Sequence, residues 1–152
     1  MKKINKKKSY ADILEANFNR LEYQKRFGTL QKDFTKAPKK EEITVKDIKA
    51  KKNDKNALSK LVSKAVLDDG EFVNLAFAEI TIIRASFDFA DMRGCDFSKS
   101  YLESCDFSFA DLRHCNFSNV VMRDCNFRHV NLKNVNFSGI DTIFCDFTGA
   151  IF

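Results

Sequence analysis

Five cysteines are the residues of this 152-residue chain with the most chemistry to offer: Cys95, Cys105, Cys115, Cys125 and Cys145. Metal-binding cysteines come in close pairs, with a second pair or histidines in reach. Spacings of ten and twenty supply no such pair. A disulfide framework wants an even count and an oxidising compartment. Here the count is odd, and no apolar run of a secretory signal follows the basic start Met1-Lys2-Lys3-Ile4. What remains is cysteine as a small buried hydrophobe. Nowhere does the chain show a Ser/His/Asp grouping or a paired carboxylate. Its five glycines are too scattered to cradle a phosphate. The sequence reads as non-enzymatic, with no metal and no cofactor.

The elements that must hold these cysteines count in fives. From Phe72 the positions run Phe72, Phe77, Ile82, Phe87, Met92, Phe97 and onward to Phe147 and Phe152; sixteen of the seventeen are large and apolar, Thr142 being the exception. A period of five matches neither a helix face nor a flat strand. A fixed self-similar period signals a solenoid. Two residues before each centre stands a small or β-branched residue, as in Ala85, Ala90, Cys95, Ser100, Cys105, Ala110 and Cys115. Just before most centres comes a turn-forming Asp or Asn, such as Asp91, Asp96, Asp106, Asp111, Asn116 and Asp146. All five cysteines occupy the small position.

A unit of small-apolar, Asp/Asn, large-apolar and two solvent residues resembles the pentapeptide-repeat family, whose unit is Ala-(Asp/Asn)-Leu-Xaa-Xaa. The resemblance covers about half of the chain without a gap. It implies an all-β fold, a right-handed quadrilateral β-helix over residues 70–152 with about four coils. The centre and the small residue point inward; the other three face solvent. Stacked at the spacing of paired strands, about 4.8 Å, the coils would make a rod roughly 20 Å long.

Within the fives runs a period of ten. Phe87, Phe97, Phe107, Phe117, Phe127, Phe137 and Phe147 alternate with Ile, Met, Leu or Thr. Opposite walls of the square should then carry Phe ladders, with the cysteines beside them as small partners that make room. Cys105 and Cys125 would share a column at a bridgeable Cα distance, but parallel stacked side chains suit disulfide geometry poorly. His114 and His129 each fall two residues after a centre, at outward corners on different walls.

The first seventy residues are a different material. They hold nineteen Lys/Arg against ten Asp/Glu, net +9, whereas residues 71–152 hold seven against eleven, net −4. Residues 1–56 read as a basic arm. Within it, residues 9–27 fit a helix capped by Ser9 with Tyr10, Leu14, Phe18 and Leu21 as its stripe. Residues 11–25 also fit three pentads, but an incomplete coil would bury too little to offset its ordering entropy, which favours the helix. The Lys-rich stretch from Gly28 to Asn56, with the one proline, reads as a flexible linker. Ala57, Leu58, Leu61, Val62, Ala65 and Val66 recur at helical spacing, and residues 57–69 are expected to form a helix capping the first coil.

Functions must then lie on the outer walls or in the arm. Arg93, Arg113 and Lys133 line up twenty residues apart as a candidate basic ladder. Tyr101, Val121, Ile143 and Phe144 put apolar groups where polar ones belong and form the candidate partner-binding surface. The leading reading is a non-enzymatic protein-binding module, a rigid rod with a basic tether. The resemblance also implies an alternative. Some family members mimic DNA and bind DNA gyrase or topoisomerase IV, and here Asp91, Asp96, Asp106, Asp111 and Asp146 would supply the carboxylates. Against it stand the modest negative charge of the rod, its basic ladder, and the absence of a loop interrupting the repeats. A second alternative places function in the arm, whose lysines suit nucleic acid or an anionic membrane surface. The chain stops on a repeat centre, Phe152, so an end-to-end homodimer through the C-terminal coils is expected, as the resemblance allows. With no signal, no myristoylation glycine and no long apolar run, the expected location is cytoplasmic.

Overall fold

The computed structural model describes residues 43–152. The expected helix at 9–27 and the linker before residue 43 lie outside the described residues. From Ile43 onward the order is helix α1 (Val45–Ala50), helix α2 (Lys55–Val62) and four short strands. These are β1 (Thr81–Ile83), β2 (Tyr101–Glu103), β3 (Val121–Arg123) and β4 (Asp141–Ile143).

The strands pair in sequence order, all parallel, with Thr81, Tyr101, Val121 and Asp141 in one column. Every step is twenty residues, so one turn of chain is four pentads. The other three walls carry single parallel bridges at the same interval, such as Ser86↔Asp106, Asp91↔Asp111 and Asp96↔Asn116. Backbone hydrogen bonds repeat with it: Phe87 N–H donates to Asp106 O at 2.7 Å, and Asp106 N–H to Ala85 O at 2.9 Å. Each coil thus satisfies its backbone through its neighbours, as a buried polar chain must. This is the quadrilateral β-helix the fives imply.

The corners explain the rest of the unit. A residue with positive φ recurs every five positions, from Lys64 (φ 60) to Gly149 (φ 72). The Asp or Asn before each centre accepts the N–H two residues on: Asp96 from Ser98 at 2.9 Å, Asp106 from Ser108 at 2.9 Å, Asn136 from Ser138 at 3.0 Å. These Asx turns are why that position prefers a short carbonyl side chain.

The core is a double aromatic ladder. Phe77, Phe97 and Phe117 stack at centroid distances of 5.1 and 4.8 Å on one wall; Phe87, Phe107 and Phe127 stack at 4.9 and 5.0 Å on the opposite one. Rings of the two ladders meet edge to face across the axis, as Phe97 and Phe107 do at 5.9 Å and 90°. Both arrangements are favoured by the ring quadrupole. The four cysteines Cys95, Cys105, Cys115 and Cys125 are buried beside the ladders, and all five cysteines are free thiols. Ser100 is the polar exception among the small residues, and its buried hydroxyl donates to Phe77 O at 2.6 Å while accepting Ile80 N–H at 3.1 Å.

Three expectations shift. The capping helix is Lys55–Val62, not 57–69. Ser63 leaves it in extended conformation, Ala65 and Leu67 turn inward as a further small residue and centre, and Leu67 N–H donates to Ser86 O at 2.7 Å. The fives therefore begin one unit before Phe72. The linker expectation fails over residues 44–50. Thr44 and Asp47 form a reciprocal capping box for α1, and Ile48 is buried. Finally, Phe137, Phe147 and Cys145 are only half-buried, and Thr142 is exposed, the last described coil having a neighbour on one side.

Candidate protein-binding surfaces

Outward positions are filled in two ways. Side chains flanking the centres bond mostly to one another, and corner side chains line up from coil to coil, half-buried at Phe89 and Phe109 and exposed at His129 and Phe144.

The candidate basic ladder is an ion-pair ladder. Arg93 grips Asp91 with two bonds of 2.7 Å. Arg113 grips Asp111 at 2.8 and 2.7 Å. Asp111 is buried and lies 3.9 Å from Arg93 as well. Hydrogen bonding to the carboxylate holds each guanidinium firmly charged, its pKa raised. Lys133 continues the column beside Asn131, which brings no carboxylate.

The same geometry disposes of the carboxylates as one acidic face. Asp91 and Asp111 belong to the pairs just described. Asp96 anchors a turn. Asp106 accepts both the N–H and the hydroxyl of Ser108. Asp146 accepts the same pair from Thr148, and those bonds lower its pKa. The five stand in three different columns, beginning at Glu71, Ala76 and Val66.

The candidate partner surface divides. Tyr101 and Val121 do share a column, between Thr81 and Asp141. Ile143 lies two residues along the strand, in the column of Ile83, Glu103 and Arg123. Tyr101 is tied down, its hydroxyl donating to Glu103 Oε2 at 2.9 Å, which raises its pKa. Phe144 stands apart at a corner, φ 56, and is 86% exposed.

Sequence reasoning missed a second outward aromatic row. Phe89, Phe109 and His129 stack face to face along one corner, at 4.7 and 5.0 Å. All three have positive φ, between 55 and 58. One coil beyond His129 the corner residue is Gly149, where an added Cβ would come within 2.4 Å of the imidazole Nδ1. The left-handed conformation costs a bulky L-residue about 1 kcal/mol or more, and most corners are filled by polar residues or glycine. The signal was present: phenylalanine two residues after a centre, repeated twenty later. Sixteen phenylalanines in the chain, most of them in the core row, concealed it.

The thiols offer little reactivity. Burial pushes Cys95 up to about 12 and raises Cys115 too. Cys105 and Cys125 donate to backbone carbonyls, Ile82 O and Arg123 O, both at 3.4 Å; each thiol acts on the other, raising Cys125 and lowering Cys105. Among the described residues no cluster of three or more His, Cys, Asp or Glu side chains could hold a metal ion. No helix of the described residues is long and apolar enough to cross a membrane.

Comparison with known proteins gives the repeat an external measure. The family model for pentapeptide repeats matches in eight copies, over residues 82–119, 100–139 and 125–152. No curated protein matches the sequence. Among solved structures, a pentapeptide repeat protein of the Arabidopsis thaliana thylakoid lumen is 28% identical, with 59% of each chain covered and a TM-score of 0.37. The pentapeptide repeat protein Rfr23 of the cyanobacterium Cyanothece 51142 is 18% identical over 59% of this chain and 62% of its own, TM-score 0.37. QnrB1, a plasmid-mediated fluoroquinolone resistance protein, is 14% identical over 59% of this chain and 68% of its own, TM-score 0.30. The match thus spans about 60% of the length of the first two.

Proposed function

The chain belongs to the pentapeptide-repeat family, and from that premise we propose that it is a non-enzymatic protein-binding module, a β-helical scaffold whose corners carry the contact residues. One observation supports this reading above the others: phenylalanine at left-handed corners, in the Phe89–Phe109–His129 row and at Phe144. Neither the core nor the backbone asks for an aromatic ring there, and outward rings are the anchors partners use. The Tyr101–Val121 column is a weaker candidate, since its tyrosine is engaged with Glu103.

The DNA-mimic alternative has less support. Its five carboxylates are spent on turns and ion pairs and spread over three columns. The arm alternative, nucleic acid or an anionic surface, rests on the lysines of residues 1–8, which lie outside the described ones. An end-to-end homodimer remains part of the proposal. Phe152 is 72% exposed, Ile151 is 50% exposed, and the tops of both Phe ladders are half-covered.

The test is quantitative capture from host lysate by the wild type and by Phe109→Ser/Phe144→Ser, with Asp124→Ser as a corner control. The reading expects one retained protein to be lost by at least about tenfold on the double substitution, the effect of an interface anchor. Equal retention by all three variants refutes it.

A further inference from the structure

The wall formed by β1, β2, β3 and β4 is complementary to itself when read backwards. Its outward residues stand in two columns. One is Thr81, Tyr101, Val121 and Asp141; the other is Ile83, Glu103, Arg123 and Ile143. The apolar members Tyr101, Val121, Ile83 and Ile143 all remain part-exposed. The hydroxyl of Tyr101, bonded to Glu103 Oε2 at 2.9 Å, holds both side chains in place on the wall, which lowers the ordering cost of a contact made there. The corner column alongside begins at Arg84 and ends at Phe144, both at left-handed φ, 57 and 56. Phe144 is the most exposed large apolar side chain among the described residues.

A second copy can face this wall with its coils in the opposite order. The two-fold axis then runs along the strands, between the levels of Tyr101 and Val121, and sets each column against its own reverse. Tyr101 meets Val121 of the second copy, Ile83 meets Ile143, and Thr81 meets Asp141. Glu103 meets Arg123 on both sides of the axis. With the step from Glu103 to Arg123 inside each chain, the four charges alternate around a square. Arg84 comes over the ring of Phe144, a cation–π pairing. None of these pairings sets like charges together. Coils in the same order would instead lay Tyr101 on Glu103 and Val121 on Arg123, burying charge without a partner. The ion-pair wall fails the same reversal, which sets Asp91 on Asp111 and Arg93 on Arg113. We infer that the four-stranded wall is a self-recognition surface on which a second copy of this chain docks face to face and antiparallel.

Four strands about 4.8 Å apart give a face roughly 15 Å tall, so the contact belongs among the small, reversible interfaces. The experiment is sedimentation velocity on the full chain, at low salt and up to millimolar concentration. The samples are the wild type, Glu103→Arg, Arg123→Glu, and an equal mixture of the two variants. The wild type should associate. Each variant alone sets like charges across the axis, and its dissociation constant should rise by about a hundredfold or more. The mixture should regain wild-type association, because each variant offers the charge that the other lacks. A swap that harmed folding would not be repaired by mixing. Pairing through the last coil is untouched by either swap, so differences among the four samples read this wall alone. A wild type that stays monomeric overturns the inference, as do four samples that associate alike. A mixture as weak as its components overturns it too, because the charges would then not meet across a two-fold axis. None of these outcomes bears on the corner row, since Phe89 and Phe109 stack on a different corner and lysate capture reads them separately.

Discussion

The first and last described coils of this β-helix are built on opposite terms. At the first coil, Ser59 and Ser63, of α2 and its C-cap, accept the N–H groups of Thr81 and Ile83 at 3.1 Å while Leu58 and Val62 enter the core, and Phe77 and Ile82 are as buried as Phe117 at mid-height. At the C-terminal end the same columns finish in Phe137, half-buried, and Thr142, exposed. The repeat itself does not change between them. In a solenoid each coil depends on its neighbours, so what differs is the number of neighbours it has. Burial of a phenylalanine, worth about 1.5–3 kcal/mol, is therefore a property of position in the stack, not of the pentad.

The largest effect should come from removing the same ring at two heights. Phe107→Ala, in the middle of its ladder, should cost about 3–5 kcal/mol in a urea melt. Phe147→Ala, on the same wall with one stacked neighbour, should cost roughly half of that by the same cavity argument. Equal costs would mean that the open end is covered in solution. Next in size is the cap: Leu58→Ala should cost about 2–4 kcal/mol, whereas Thr142→Leu, its counterpart at the open end, should change stability by no more than about 0.5 kcal/mol.

High pH separates the ends by chemistry. A buried thiol whose folded pKa is raised contributes stability that is complete below its unfolded value and fades as pH rises toward the folded one. For Cys95 that window runs from its ordinary 9.0 to about 12. Denaturation midpoints should fall across that window, and Cys95→Ala should recover part of the fall, Cys115 and Cys125 supplying the rest. At pH 8 a thiol reagent should modify the half-buried Cys145 well before the other four cysteines. At the corners the effect is smaller than at the buried core positions. Gly149→Ala should cost about 1 kcal/mol, from its positive φ and the ring of His129 lying against it.

How far the sequence could be read follows from the same contrast. The centres and small positions were legible because the core tolerates one kind of residue at each, so Phe97, Cys95 and their equivalents announce themselves by spacing alone. The cap was half legible. Leu58 and Val62 showed a helical stripe, but Lys55, Ser59 and Ser63 look like any solvent face until the strand they serve is in view. Ala65 and Leu67 satisfied a helical stripe and the fives equally, and the hydrogen bond from Leu67 N–H to Ser86 O decides for the coil. The Thr44–Asp47 box lay in a Lys-rich stretch whose composition outweighed a four-residue motif. Outward chemistry was the least legible. Asp91 and Asp106 look alike in the repeat, yet one holds Arg93 and the other Ser108. Phe109 differs from the core rings only by two places in the count.

The most direct test of a closed and an open end is residue-resolved hydrogen exchange on the unmodified chain. The account predicts that Thr81 and Ile83, held by serine hydroxyls, are protected as strongly as Tyr101 and Val121 in the internal strands. Phe137, Phe144 and Phe147, with no coil above them, should exchange faster by orders of magnitude, roughly the difference between local fraying and global opening. Uniform protection from the first coil to the last would contradict it, as would a first strand that exchanges as fast as the last coil.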